Sequence, residues 1–174
     1  MKTDQNTPHH CYTVGEHILK SLLHVRADKV LRLTMLLHDI GKPVVKITDE
    51  NGRDHFKMHG PESEQMAKVI LRRLKFDNDT IHKVCRLVKW HDARPAAQMP
   101  NVRRSVNKIG EDIFPLYLEI QRADMLAQST YQRREKEERL EGVKSCYEQI
   151  VEKKTVCFSE KSGSYRQRSY SGRL

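Results

Sequence analysis

The segment Leu36-Leu37-His38-Asp39-Ile40-Gly41-Lys42 constrains this chain more than any other. It sets an imidazole and a carboxylate side by side at the end of an apolar run. Burying two such groups without partners is costly. They can stay inside a fold if they share a cation. Imidazole together with carboxylate suits Mn, Fe, Co, Ni or Zn better than Mg or Ca. Successive residues on a helix point about 100° apart, so His38 and Asp39 meet one ion only if other helices bring further ligands. The expected architecture is therefore an all-α bundle closed around this doublet.

Helical spacing supplies the other helices. Val14, Ile18, Leu22 and Val25 recur over 13–25. Asp28 reads as the N-cap of a second helix, with Val30, Leu33, Leu37 and Ile40 as its stripe and Leu36 beside it. Gly41 reads as its C-cap, and Pro43 as its stop. Residues 44–58 carry Val44, Val45 and Ile47 before Asp49-Glu50-Asn51-Gly52, which predicts a loop or short hairpin. A third helix should start near Pro61 and bury Met66, Val69, Ile70 and Leu74. Asp77 or Asn78 caps a fourth, with Ile81, Val84 and Val88 on one side. Pro95 and Pro100 mark 93–101 as a loop, and a short helix follows over 102–109. A longer one over 113–128 carries Ile113, Leu116 and Ile120. A highly charged last helix, with Arg-Glu-Lys-Glu-Glu-Arg at 134–139, spans 130–154. Residues 1–12 read as a polar leader. The segment 158–174 is rich in Ser and Arg and poor in aliphatic residues, so one domain over 1–157 with a disordered basic tail is expected.

Several polar groups fall on or beside these buried faces. His17 follows Val14 by three residues, His91 extends the Val84 and Val88 stripe, and Asp124 extends that of Ile113 and Ile120. His59 stands just before a helix start. Each alone has an ordinary explanation as a hydrogen-bonded core residue, a cap or a surface charge. Together with His38 and Asp39 they describe an inward-pointing cage of four His and two Asp. Lys42 could contact a substrate phosphate, or could be a lysine favoured by a helix C-terminus. Arg94 and Arg122 are weaker candidates for the phosphate role. Trp90 could stack on a base or pack in the core.

The formal charge of +9 favours anionic partners such as nucleotides, RNA or phosphorylated metabolites, without choosing among them. No apolar run approaches the roughly 20 residues that cross a bilayer, so no membrane partner is expected. The first ten residues hold no apolar leader. Cys11, Cys85, Cys146 and Cys157 form no Cys-x-x-Cys pair, which points to a reduced, cytoplasmic setting.

The order His17, His38-Asp39, Asp124 resembles the HD superfamily of metal-dependent phosphohydrolases, and His38-Asp39-Ile40-Gly41-Lys42 is typical of it. The resemblance implies that His17, His38, Asp39 and Asp124 hold one divalent metal. It further implies that His59 and His91 hold a second, with Asp39 bridging. A narrower resemblance runs through 5–17, 31–43, 55–76 and 122–129 to the HD domain of bacterial tRNA nucleotidyltransferases, covering roughly 5–157. The Gly-rich turn and Asp-x-Asp of their nucleotidyltransferase head do not occur here, so CCA addition is not carried over. The implied function is hydrolysis of a nucleotide-type phosphomonoester or phosphodiester by a metal-activated water, with Asp39 and Lys42 at the reacting centre. Two other expectations stand beside it. One is a non-catalytic module that binds tRNA-like RNA or mediates dimerisation. The other is a di-iron oxygenase.

Overall fold

The computed structural model describes residues 1–7 and 11–164, the stretch 154–164 by its backbone alone. The element order is α1 (Val14–Leu22), α2 (Lys29–Leu37), α3 (Lys42–Val45), β1 (Ile47–Thr48), β2 (Asp54–His55), α4 (His59–Arg73), α5 (Asn78–Trp90), α6 (Met99–Ile109), α7 (Phe114–Leu126) and α8 (Arg133–Ser164). This is the expected all-α bundle with a small hairpin after the His-Asp doublet.

Caps account for where these helices begin. Thr13 and Glu16 form a reciprocal capping box on α1. Asp28 accepts from Leu31 N on α2, and Asp77 accepts from Thr80 N on α5. In the hairpin Ile47 pairs with His55 and Thr48 with Asp54, and Gly52 takes the left-handed conformation its turn demands.

Two cores meet on helix α2, which keeps Lys29, Arg32 and Leu36 on its exposed side. Leu31 and Met35 join Leu87, Val102, Val106, Ile109, Phe114, Tyr117 and Ile120. On the other side Leu37 joins Ala67, Leu71, Ile81, Val84 and Val88, with Val30, Leu33 and Ile40 half-buried against them. Burial of that apolar area, at roughly 25 cal/mol per Å², holds the end of α2 deep inside the molecule.

Three local expectations are corrected, and one segment is tied down more firmly than its sequence suggests. Helix α2 stops at Leu37 with His38 as its C-cap, and Gly41 and Pro43 open α3 instead of closing α2. Proline fits the first turn, where its missing N–H would have no partner. Helix α4 buries His59, Ser63, Ala67 and Leu71, while Val69 and Leu74 are exposed. Small residues on that face let α4 lie close to α3 and α5. The polar leader is docked on the hairpin: Asn6 N donates to Asp54 Oδ2 and Asp54 N donates to Asn6 O, across 48 residues. Helix α8 runs on past 157, where the tail was expected to begin. The rest of the expected tail, 165–174, lies outside the described residues, as do 8–10.

Candidate metal centre

Five separate elements deliver the six cage residues to one place. His17 lies on the buried side of α1, beside Val14 and Ile18. His38 ends α2, and Asp39 follows in the turn. His59 is the first residue of α4, and His91 is the C-cap of α5. Asp124 follows Tyr117 and Ile120 on the inner face of α7. All six are nine-tenths buried or more.

Two glycines and a strained residue set this approach. A Cβ on Gly41 would lie 2.7 Å from Ser63 N and 2.9 Å from His59 O, so only glycine lets α3 meet the start of α4. A Cβ on Gly60 would lie 2.7 Å from Lys89 O, so glycine also seats α4 against the end of α5. Met58, just before His59, has φ 66°, a left-handed conformation uncommon for a residue with a Cβ.

The carboxylate of Asp39 divides the cage in two. Its Oδ2 lies 3.5 Å from His17 Nε2 and 3.3 Å from His38 Nε2. Its Oδ1 lies 3.5 Å from His59 Nε2 and 3.4 Å from His91 Nε2. Asp124 Oδ1 closes the first half, 2.9 Å from His17 Nε2 and 3.8 Å from His38 Nε2. Two sets of donor atoms are near enough to hold an ion: His17, His38 and Asp124, and His38, Asp39 and His91.

Hydrogen bonds fix how the histidines face. Nδ1 of His38 lies 2.7 Å from Met35 O, that of His59 2.7 Å from Phe56 O, and that of His91 2.7 Å from Val88 O. Nδ1 of His17 lies 3.4 Å from Ala127 O. A carbonyl oxygen only accepts, so Nδ1 carries the proton and a neutral ring turns the Nε2 lone pair inward. This is the outer support that metal-binding histidines ordinarily have. Four lone pairs and two carboxylates then face one another, with His17 and His38 Nε2 3.2 Å apart and His59 and His91 Nε2 3.1 Å apart. Both oxygens of Asp39 are buried and neither makes a hydrogen bond, although Oδ2 has the Lys42 ammonium beside it as an ion pair. The donor set, with Oδ1 facing only the imidazoles of His59 and His91, fits a divalent transition ion.

The electrostatics agree. Burial raises the carboxyls of Asp39 and Asp124, but nearby cationic groups outweigh it. His38 and Lys42 hold Asp39 well below the usual range, and His17 holds Asp124 below it. Burial lowers His17 and His91, yet Asp124 beside the first and Asp39 beside the second raise them overall. His59 is lowered by burial and by its neighbour His91.

Asp39, His59, His91 and Asp124 of the cage line the floor of a cleft of about 310 Å³. Arg53, His55, Phe56 and Lys57 from the hairpin line one wall, and Arg94 lines the other. Lys42 is buried, with its ammonium 2.7 Å from Asp39 Oδ2 and donating to Gln5 Oε1 at 2.8 Å. It is the first residue of the single-turn α3. Arg122 is exposed on α7 and outside the cleft lining, and Trp90 is half-buried against the core. A larger groove of about 500 Å³ between α4, α5 and α6 touches none of the six cage residues. Three glutamines were not singled out from the sequence. Gln5 holds Lys42, Gln121 donates to His91 O, and Gln128 donates to Asp124 Oδ2 at 2.8 Å. Gln121 and Gln128 stand three and four residues from Asp124 on α7, a spacing that could have revealed them. Nothing local marks Gln5.

Residues 8–129 match the model of the HD domain family. Two curated relatives share the region. A CC-adding tRNA nucleotidyltransferase of Thermus thermophilus is 29% identical over 127 residues, which is 68% of this chain and 28% of that protein. An A-adding tRNA nucleotidyltransferase of Deinococcus radiodurans is 34% identical over 113 residues, 63% of this chain and 26% of that protein. The chain thus spans about a quarter of the length of the curated relatives it matches. No solved structure matches it.

Proposed function

We propose that this chain, which belongs to the HD domain family, is a metal-dependent phosphohydrolase acting on a nucleotide-type phosphate ester. The observation that carries the reading is the convergence of four imidazole Nε2 atoms on the divided carboxylate of Asp39.

In this reading His17, His38, Asp39 and Asp124 would hold one divalent ion, and His59 and His91, on the other oxygen of Asp39, would be available to a second. An ion bound there acidifies water and draws charge from phosphoryl oxygen. The chain's own residues do the rest. The backbone carbonyls of Met35, Phe56, Val88 and Ala127 keep the four rings turned inward. Lys42 offsets the charge of Asp39 at Oδ2, the oxygen that also faces His17 and His38. Arg53, His55, Lys57 and Arg94 at the cleft rim attract the anionic ester. The acidic floor recruits cations while the basic rim recruits phosphate, so the two charges are layered by depth.

A second reading is favoured by the relatives, which are tRNA nucleotidyltransferases. Here the chain is a non-catalytic module that contacts tRNA-like RNA in the cytoplasm, with its cage structural. Among the described residues no helix is long and apolar enough to cross a membrane.

Elemental analysis of the desalted protein beside Asp39→Ala, followed by a screen of nucleotides and cyclic phosphodiesters for hydrolysis, separates the two. Metal retained by the wild type and lost by the variant, with hydrolysis of at least one ester, supports the enzyme. A wild type that stays empty in excess Mn, Fe, Co and Ni would transfer the lead to the RNA-contacting module.

A further inference from the structure

Helix α8 opens with Arg133-Arg134-Glu135-Lys136-Glu137-Glu138-Arg139, and the fold sorts these charges by face. Arg134, Glu135, Glu137 and Glu138 are exposed, whereas Arg133, Lys136 and Arg139 are half-buried. Residues three and four apart share a helix face. Lys136 and Arg139 look onto the lip of the metal centre, where they line a narrow crevice with Arg94, Gln121, Asp124 and Gln128.

This crevice joins the cleft above the cage, since Arg94, Asp124 and Gln128 line both. Lys136 Nζ donates to Gln128 Oε1 at 3.0 Å, and the same Gln128 donates to Asp124 Oδ2. Arg94 Nη2 comes within 4.0 Å of that oxygen. Arg133 donates to the carbonyls of Gln128 and Ser129, and its Nε is buried without a hydrogen-bond partner.

The charges at this lip do not balance. Four cations gather there, and the carboxylates facing them are Asp92 and Asp124. Asp92 is paired with Arg94 at 2.7 Å, and Asp124 is turned to His17 at 2.9 Å. Among the described residues no carboxylate lies within ion-pair distance of Arg133, Lys136 or Arg139. Crowding like charges in a half-buried place is unfavourable unless an anion offsets them. In keeping with this, burial and the neighbouring charge of Arg94 lower the pKa values of both Lys136 and Arg139. Arginine forks match phosphate oxygens pairwise, and lysine serves as a point charge beside them.

We propose that Arg94, Lys136 and Arg139 form a phosphate subsite at the lip of the metal centre, and that it takes a second phosphate of the substrate, separate from the one cleaved. This rests on reading the cage as a phosphohydrolase centre. The ligand is then a nucleotide with two separate phosphates, either free as a nucleoside bisphosphate or at the end of a nucleic-acid strand. Both present the same phosphate chemistry to the three side chains. The crevice is narrow, so the anion sits at its mouth, beside Arg94.

The test is equilibrium binding to the full chain, with its metal content as purified. The probes are adenosine 3′,5′-bisphosphate, adenosine 5′-monophosphate and a short phosphorothioate oligonucleotide. The wild type should bind the bisphosphate or the oligonucleotide more tightly than the monophosphate. Whichever binds tighter identifies the source of the second phosphate. Joint substitution Lys136→Gln and Arg139→Gln should weaken that probe by about tenfold or more, with metal content unchanged. Arg139→Lys should keep part of the affinity, and Arg134→Gln, on the outer face, should keep all of it. Equal affinity for all three probes, or a double variant that binds as the wild type does, overturns the subsite. If the wild type hydrolyses no ester but still shows this charge-dependent binding, the hydrolase reading fails while the subsite stands. If it hydrolyses esters and the double variant binds normally, only the subsite fails.

Discussion

His59 and His91 bring their Nε2 atoms to 3.1 Å of each other, while each donates its Nδ1 proton to the carbonyl three residues before it. Two lone pairs at that distance repel unless a proton or a cation lies between them or close by. His17 and His38 repeat the relationship at 3.2 Å on the other side of Asp39. The two pairs should therefore be separable in metal content. Asp39→Ala removes the shared carboxylate and should abolish retention of metal. Joint substitution of His59 and His91 by Ala should lower it by about half in a two-ion site, and elemental analysis reads both.

Metal binding should compete with protons. Each Nε2 must be deprotonated to bind. Without metal, Asp124 and Asp39 raise His17 and His91, so those protons persist above the ordinary histidine range. Their stabilising effect is full below the unfolded value, about 6.5, and is lost as pH rises through the folded values. His59 is lowered, so its effect has the opposite sign and is lost as pH falls below about 6.5. The chelated protein should accordingly have a thermal midpoint that peaks near that pH. Metal-loaded protein should lose the alkaline decline, and added metal should release protons. An identical pH profile with and without metal would contradict the cage.

Gly41→Ala tests whether the cage depends on close backbone approach. The added Cβ would press on Ser63 N and His59 O, and backbone cannot rotate aside as a side-chain tip can. Overpacking of this kind costs about 1–3 kcal/mol. The displaced element is the one that carries His59. Unfolding measurements should show the loss of stability, and metal analysis should show a matching loss of retained ion.

The leader should come away in acid. Asp54 accepts from Asn6 N at 2.8 Å and Thr48 Oγ1 at 2.7 Å, and pairs with Lys46 at 2.8 Å. Lys46 and Asn6 lower its pKa to about 2. A depressed carboxyl stabilises the fold above its unfolded value, about 3.9, and that contribution is lost as pH falls towards 2. Asp54→Asn should reproduce the acid state at neutral pH. Limited proteolysis in the leader should become faster in the variant and at acid pH, while hydrogen exchange in α5 stays slow.

The sequence by itself determined the bundle and the identities of the six cage residues. An apolar helix that ends in His38-Asp39 leaves few folded solutions, and His17, His91 and Asp124 continue buried stripes at a spacing a reader can count. Caps such as Asp28 and Asp77 are equally local, because a side chain accepting from a backbone N–H three residues on needs no distant partner. What the tertiary structure decided is everything that depends on approach between separate elements. The division of Asp39 between two histidine pairs, the burial of Lys42 on Gln5 and the docking of the leader on Asp54 join residues far apart in the chain. The helical period says which residues share a face. It does not say how near two faces come. Gly41 and Gly60 set that distance here, and with it whether six polar side chains are scattered or form one centre.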